Sequence, residues 1–121
     1  MSRKEQGVEA EKIAMTYEKL RLGIELKEKV KYVGNRHGMG FDIQSINSDT
    51  DHGPRFIEVK SSSYGGYVFL TIRELKNLKI LGTAAWIYVV DTNIGKIIRM
   101  IQNPIACIST SGTELVYKIK I

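Results

Sequence analysis

Two neighbouring strand-like segments of the sequence carry carboxylates and a lysine. Asp42 lies between two apolar residues, and Glu58 and Lys60 belong to the apolar run Phe56–Lys60. Residues two apart in a strand share a face, so Glu58 and Lys60 point the same way. The turn-rich stretch between the two segments favours a hairpin, which would bring Asp42 close to this pair. The spacing therefore predicts two carboxylates and one ammonium group at a single site.

These residue types suit the hydrolysis of phosphodiesters. Mg²⁺ prefers hard oxygen ligands, commonly one or two carboxylates together with waters and substrate phosphate. We expect Asp42 and Glu58 to hold the ion, the backbone carbonyl of Val59 to be a further ligand, and Mn²⁺ to substitute for Mg²⁺. Lys60 would orient the attacking water and stabilise the charge that develops on phosphorus. Taken alone, Glu58 and Lys60 also fit an ordinary ion pair on a solvated sheet face.

Two helices are predicted from capping residues and apolar spacing. The first begins at a Ser2–Glu5 capping box and extends to about Leu22, before Gly23. The second runs from a Thr71–Glu74 capping box to Gly82. Capping explains Glu74 better than catalysis does. The buried stripe predicted for the first helix comprises Ala10, Ile13, Ala14, Tyr17, Leu20, Arg21 and Ile24.

The remaining apolar runs read as strands separated by turns. Ala84–Val90 is almost entirely apolar, which is typical of a central strand buried on both faces. The order of elements predicts an α/β fold with a mixed sheet flanked by helices. The other predicted strands are Val30–Val33, Phe41–Asn47, Arg55–Lys60, Tyr67–Leu70, Lys96–Ile101 and Leu115–Ile121.

Length, charge and cysteine content narrow the class of protein. The chain has 121 residues, which predicts one domain over residues 1–121, and a net charge of +5 that suits a polyanionic partner. A single cysteine, Cys107, excludes an internal disulfide and reads as a small core residue. No apolar run is long enough to span a membrane, and Met1–Ala10 is too polar for a signal peptide. We therefore expect a cytoplasmic protein that does not bind membranes.

The motif residues also resemble a known family. Asp42 followed by Glu58-Val59-Lys60 resembles the PD-(D/E)xK motif of the restriction-endonuclease-like nucleases, although Phe41 replaces the nominal proline. The resemblance covers about Gly7–Val90 and implies a restriction-endonuclease-like mixed sheet, Mg²⁺-dependent phosphodiester cleavage and a nucleic-acid substrate. More narrowly, the nuclease-related domain named after the plant protein NO VEIN is similar in the segments Gly40-Phe41-Asp42-Ile43, Arg55-Phe56-Ile57-Glu58-Val59-Lys60-Ser61 and Phe69-Leu70-Thr71-Ile72-Arg73-Glu74-Leu75.

A further catalytic glutamate is implied on the first helix. Many members of the family carry a Gly-x-x-small-Glu arrangement there, and Gly7-Val8-Glu9-Ala10-Glu11 fits it. Helical periodicity alone does not choose between Glu9 and Glu11, whereas the resemblance favours Glu11. Glu18 is a weaker candidate on the same flank of the helix as Glu11.

Several polar residues are candidates for contacting substrate, each with a plainer alternative. Gln44 shares a strand face with Asp42, and it also fits a simple polar face position. Ser61 and Ser62 follow the lysine and could contact phosphate, or simply begin a loop. The candidates for gripping a phosphate backbone are Arg36, Arg73 and Lys76, although the basic residues are spread along the whole chain.

The sequence therefore predicts a Mg²⁺-dependent endonuclease with DNA, rather than RNA, as the expected substrate. A homodimer would let two sites cut both strands. The alternative is a nuclease-fold module that binds nucleic acid or another protein without cutting, because fold does not fix function.

Overall fold

The computed structural model describes residues 1–34, 40–62, 66–110 and 117–121. Its two α-helices are α1 (Arg3–Leu22) and α2 (Ile72–Leu81). Short 3₁₀ turns cover Lys27–Lys29, Gly82–Ala84 and Pro104–Cys107. The strands are β1 (Lys31–Tyr32), β2 (Ile43–Ile46), β3 (Pro54–Ser61), β4 (Tyr67–Leu70), β5 (Ala85–Asp91), β6 (Lys96–Gln102), β7 (Ser109–Thr110) and β8 (Tyr117–Lys120).

The strands form two sheets. The larger sheet has the order β1-β2-β3-β5-β6, and the smaller one has the order β4-β8-β7. Strands β3 and β5 are parallel, while the other neighbouring pairs are antiparallel. Parallel neighbours need a crossover connection, and here β4 and α2 supply it. The predicted α/β fold, a mixed sheet flanked by helices, is confirmed.

Helix α1 packs on the face of the large sheet that carries Tyr88 and Val90. Its capping residue is Ser2, whose hydroxyl accepts a hydrogen bond from the Glu5 N–H at 3.1 Å, and Gly23 ends the helix with a φ of 83°. The core on this side consists of Ala10, Ala14, Val30, Ile43, Ile57, Val59, Tyr88 and Val90.

The predicted stripe of α1 is wrong at its C-terminal end. Leu20 and Ile24 are exposed, whereas Glu18 is fully buried. Apolar periodicity does not predict that Glu18 is buried in place of Leu20 and Ile24, because the burial of Glu18 depends on polar partners from distant strands.

Helix α2 covers the other face of the large sheet together with β4 and β8. Thr71 and Glu74 form the complete capping box that the sequence predicts, and Gly82 ends the helix with a φ of 56°. The core on this side consists of Val68, Leu70, Leu78, Ala85, Ile87, Val89, Ile101 and Ile119. Since β5 contributes to both cores, its predicted burial on both faces is confirmed.

The outer strand β6 has an irregular register against β5. The pairing shifts between Val89 and Val90, and exposed basic side chains lie at Lys96 and Arg99. Beyond β6, Cys107 is exposed, so its prediction as a core residue is wrong. The described helices include none with the length and apolar character needed to cross a membrane.

Candidate active site

Asp42 is held at the start of β2 by backbone hydrogen bonds. Its N–H donates to the Ile57 carbonyl at 2.9 Å, and its carbonyl accepts from the Val33 N–H at 2.8 Å. Its side-chain Oδ2 accepts from the Val59 N–H at 2.8 Å. The carboxylate is therefore anchored to β3 beside Glu58, as the predicted hairpin requires.

Glu58 and Lys60 lie on the same face of β3, as predicted from their spacing. The Glu58 side chain is only 12% exposed, and its Oε1 lies 3.9 Å from Lys60 Nζ. Lys60 Nζ donates a shorter hydrogen bond, 2.7 Å, to Oε2 of Glu74 on α2. The lysine thus lies between two carboxylates, with the closer contact to the helix.

Both predicted metal-binding carboxyls have raised pKa values. Burial raises the pKa of Glu58 well above its ordinary value, and the charge of Asp42 and the contact with Glu74 raise it further. Burial also raises the pKa of Asp42 to about 6, against a lowering by the Val59 N–H, with a further contribution from the charge of Glu11. Carboxylates that are buried and repel one another are stabilised when a cation binds between them.

The backbone of Val59 offers one more oxygen on the same side. Its N–H points toward Asp42, and the N–H and C=O of one strand residue point to the same side of the strand. The Val59 carbonyl therefore faces the edge where Asp42 lies, as its predicted role requires.

Glu11 approaches this group from helix α1. Its carboxylate contributes to the raised pKa of Asp42, and its hydrogen bond with the Tyr32 hydroxyl is the main cause that raises the pKa of Tyr32 to about 12. Glu9 instead lines a cavity between α1 and β6, together with Ile97. The structure thus separates the two glutamates that periodicity left open, and Glu11 is the one whose charge acts on Asp42.

Tyr32 is a residue that the sequence reasoning missed. An added Cβ on Gly34 would lie 2.8 Å from the Tyr32 hydroxyl and 3.0 Å from Asp42 Oδ1. The Tyr32 hydroxyl and the Asp42 carboxylate therefore both pack against the bare Cα of Gly34. A glycine that follows a short apolar strand was the available signal for such a close approach.

Glu74 has a second role besides capping. Its Oε1 accepts from the Thr71 N–H at 2.9 Å while its Oε2 accepts from Lys60. Burial would raise its pKa, but hydrogen bonding with Glu58 and Lys60 leaves it lowered. Glu74 therefore remains ionised as the closest counter-ion of the candidate catalytic lysine.

A groove of about 440 Å³ opens at the carboxyl end of β3. Ser61 and Ser62 line it, but the Ser62 N–H donates to the Val90 carbonyl at 2.8 Å and is not available to substrate. Gly7 also lines it, and an added Cβ there would meet no atom within 4 Å. The further lining residues are Arg3, Gln6, Val59, Lys60, Val68 and Phe69.

Of the remaining predicted contact residues that the structure describes, none lines this groove. Gln44 is exposed on β2, opposite Phe56 in the register. Arg73 and Lys76 are exposed on the outer surface of α2. Arg36 lies outside the described residues. Glu18, the weaker candidate, is buried in a separate polar network away from this group.

The described residues contain no ready-made cluster of three or more His, Cys, Asp or Glu side chains for a metal. The available donors are the carboxylates of Asp42 and Glu58 and the Val59 carbonyl. Such a small oxygen set fits Mg²⁺, which commonly keeps several waters, better than it fits Zn²⁺.

The chain matches a known protein family. The family described as Protein NO VEIN, C-terminal, matches residues 10–100, well over half of the chain. No curated protein matches, and no solved structure does either. The resemblance to this domain is confirmed, whereas membership of the PD-(D/E)xK superfamily stays a prediction.

Proposed function

The chain belongs to the NO VEIN C-terminal family, and we propose that it is a Mg²⁺-dependent nuclease of the PD-(D/E)xK type that cleaves DNA. The observation that carries the proposal is the convergence of Asp42, Glu58 and Lys60 where β2 meets β3. Two repelling carboxylates beside a lysine suit a divalent ion and a phosphodiester better than they suit a structural ion pair.

The ion-binding residues in this proposal are Asp42 and Glu58, with the Val59 carbonyl as a third donor. Bound Mg²⁺ would neutralise charge on the scissile phosphate and lower the pKa of a coordinated water. The Val59 N–H holds Asp42 Oδ2 in place at 2.8 Å. This backbone contact gives the site a fixed carboxylate before substrate arrives.

Lys60 orients the attacking water in this proposal. Its ammonium group would orient the water for in-line attack on phosphorus and stabilise the charge on the phosphoryl oxygens. The new bond joins the water oxygen to phosphorus, the bond to the 3′ oxygen breaks, the proton released by the water balances the one taken up by that oxygen, and a 5′-phosphate remains. Glu11 on α1 adds negative charge near Asp42, which would strengthen the attraction of the site for the ion.

One observation favours the alternative, a module of the same fold that binds without cutting. Lys60 Nζ lies 2.7 Å from Glu74 but 3.9 Å from Glu58. A lysine engaged by a helix carboxylate in this way could serve structure alone. The cleavage experiment decides between the two functions.

The cleavage experiment compares supercoiled plasmid, linear duplex, single-stranded DNA and RNA in Mg²⁺, Mn²⁺ or EDTA. We expect metal-dependent DNA cleavage, and a loss of roughly a thousandfold in Lys60→Ala and Asp42→Asn because transition-state charge loses its partners. Asp49→Asn, in the exposed β2–β3 turn, is the matched control. If both Lys60→Ala and Asp42→Asn still cleave like the wild type, these residues do not form the active site. If the wild type cleaves nothing with Mg²⁺ and nothing with Mn²⁺, the binding module is favoured.

A second experiment tests the ion without catalysis. A ligand that binds only the folded state raises the free energy of unfolding, by about 1.4 kcal/mol at ten times its Kd. We expect Mg²⁺ to stabilise the wild-type chain in urea titrations and to leave Asp42→Asn unchanged. Equal stabilisation of both proteins would exclude Asp42 as a ligand.

A further inference from the structure

The solvent face of the small sheet alternates aromatic and basic side chains. Tyr67 pairs with Lys120 in the register, and Phe69 pairs with Lys118. Directly opposed residues of antiparallel strands lie on the same face. The opposite face carries the buried Val68–Ile119 pair, so the core does not account for the outward rings.

An exposed aromatic ring lies beside positively charged side chains on this face. Phe69 is 51% exposed, and Lys120 is exposed at the end of β8. Lys118 Nζ lies 4.4 Å from the centre of the Tyr67 ring, which is a cation–π contact across the strands. Phe69 is therefore the ring with the larger surface for stacking.

The same face continues into the candidate active site. Phe69 lines the groove of about 440 Å³ whose other walls include Lys60 and Arg3. A strand of nucleic acid lying along β4 would thus pass from this aromatic surface to Lys60.

We propose that the face formed by Tyr67, Phe69, Lys118 and Lys120 binds a single-stranded segment of nucleic acid and leads it to the groove. Phe69 stacks on an unpaired base, and the two lysines contact phosphates. The path to Lys60 rests on the proposed nuclease function, whereas the binding surface does not. Duplex DNA fits less well, since its bases are already stacked. A protein partner also fits less well, because lysine is depleted at protein interfaces.

The test measures binding in EDTA, so that cleavage plays no part. The probe is a fluorescent oligothymidylate of about 12 nucleotides, within the range that single-strand-binding folds cover, and anisotropy reports the affinity of the whole chain. We expect Phe69→Leu to weaken binding about tenfold and Phe69→Trp to retain it, because the indole ring still stacks. A duplex of the same length should bind more weakly and respond little to Phe69→Leu.

The lysines have a separate signature in the salt dependence. Replacing both Lys118 and Lys120 by Gln should reduce the slope of log affinity against log salt by about 1.4, or about 0.7 for each phosphate that is no longer neutralised. The pair Lys27→Gln and Lys29→Gln, exposed on the 3₁₀ turn after α1, removes the same charge and should leave the slope nearly unchanged.

The outcomes separate this surface from the nuclease activity. Equal affinity of the wild type, Phe69→Leu and Phe69→Trp overturns the surface even if cleavage is found. Loss of binding in Phe69→Leu without any cleavage supports the surface and contradicts the nuclease. An equal weakening of single-stranded and duplex binding by Phe69→Leu also overturns it, and tight association with a protein in place of the oligonucleotide would assign the face to a partner.

Discussion

Two buried sets of carboxylates in this molecule have pKa values shifted in opposite directions. Glu18 on α1 is 0% exposed, and Glu58 on β3 is 12% exposed. Burial alone would raise the pKa of Glu18, but hydrogen bonds from Arg21, Ser45 and Tyr88 leave it lowered. Burial raises the pKa of Glu58, and the neighbouring carboxylates raise it further. The difference lies in the number of donors, not in the depth of burial.

The Glu18 network is complete. Its carboxylate accepts two hydrogen bonds from Arg21, at 2.8 and 2.6 Å, and one each from Ser45 and Tyr88, both at 2.8 Å. Arg21 also donates to the carbonyls of Ile46 and Asn47 at the end of β2. A carboxylate with four donors builds structure, here by tying α1 to the β2–β3 hairpin.

The carboxylates of Asp42 and Glu58 have fewer hydrogen-bond donors than their negative charges require. Asp42 receives the Val59 N–H, and Lys60 contacts Glu74 more closely than Glu58. Such a group is available to a cation from solution. Exposure alone therefore does not distinguish the structural carboxylate from the candidate functional ones.

Removing the satisfied carboxylate should have the largest effect. Glu18→Ala leaves Arg21 without its buried partner, and we expect the free energy of unfolding to fall by about 3–5 kcal/mol. Urea unfolding measures the change, and Glu25→Ala, exposed after α1, serves as control. A loss close to that of the control would mean that the network contributes little.

Removing charge from the unsatisfied group should act in the opposite direction. Without metal at pH 7, we expect Asp42→Asn to raise the free energy of unfolding by about 1–3 kcal/mol, since Asn keeps an acceptor and removes the repulsion. The pKa of Asp42 is about 6 in the folded chain, above the ordinary value of 3.8. The folded state therefore binds more protons, and this contribution to stability is full below pH 4 and is lost as pH rises through about 6.

The check on Asp42 is a set of urea titrations between about pH 4 and 7. Wild type should lose stability over this window relative to Asp42→Asn, and Asp49→Asn should behave like wild type. A parallel pH dependence of wild type and Asp42→Asn would show that Asp42 ionises in the folded chain as it does in solution.

The partly exposed ion pair between Lys60 and Glu74 should have the smallest effect. Glu74→Gln keeps a side chain that can complete the capping box with Thr71 but removes the charge opposite Lys60. Both side chains of this pair are 21% exposed, so we expect a change in the free energy of unfolding below about 1 kcal/mol. If Glu74→Gln lowers the free energy of unfolding as much as Glu18→Ala does, the Lys60–Glu74 pair is a structural contact like the Glu18 network.

Local sequence patterns predicted much of the fold. The strand Tyr67–Leu70 has the predicted bounds, and the Thr71–Glu74 box begins α2. The alternation along β3 correctly predicts that Glu58 and Lys60 share one face. Each of these features depends on residues within a few positions of one another, which is the range that periodicity and capping rules cover.

The side-chain contacts that the sequence did not predict join residues far apart in the chain. Glu18 meets Tyr88 across 70 positions, and Glu74 meets Lys60 only because the crossover returns α2 to β3. Tyr32 on β1 interacts with Glu11 on α1. Pairing of polar groups between distant segments leaves no periodic signal in the sequence.

The irregular outer strand β6 bears on how this chain associates. A shifted register and charged side chains at a sheet edge discourage another strand from adding to it, which protects against fibrous aggregation. The shift at Val89/Val90 and the exposed Lys96 and Arg99 have this effect at β6. If two copies assemble to cut both strands of a duplex, we do not expect them to join edge to edge through β6.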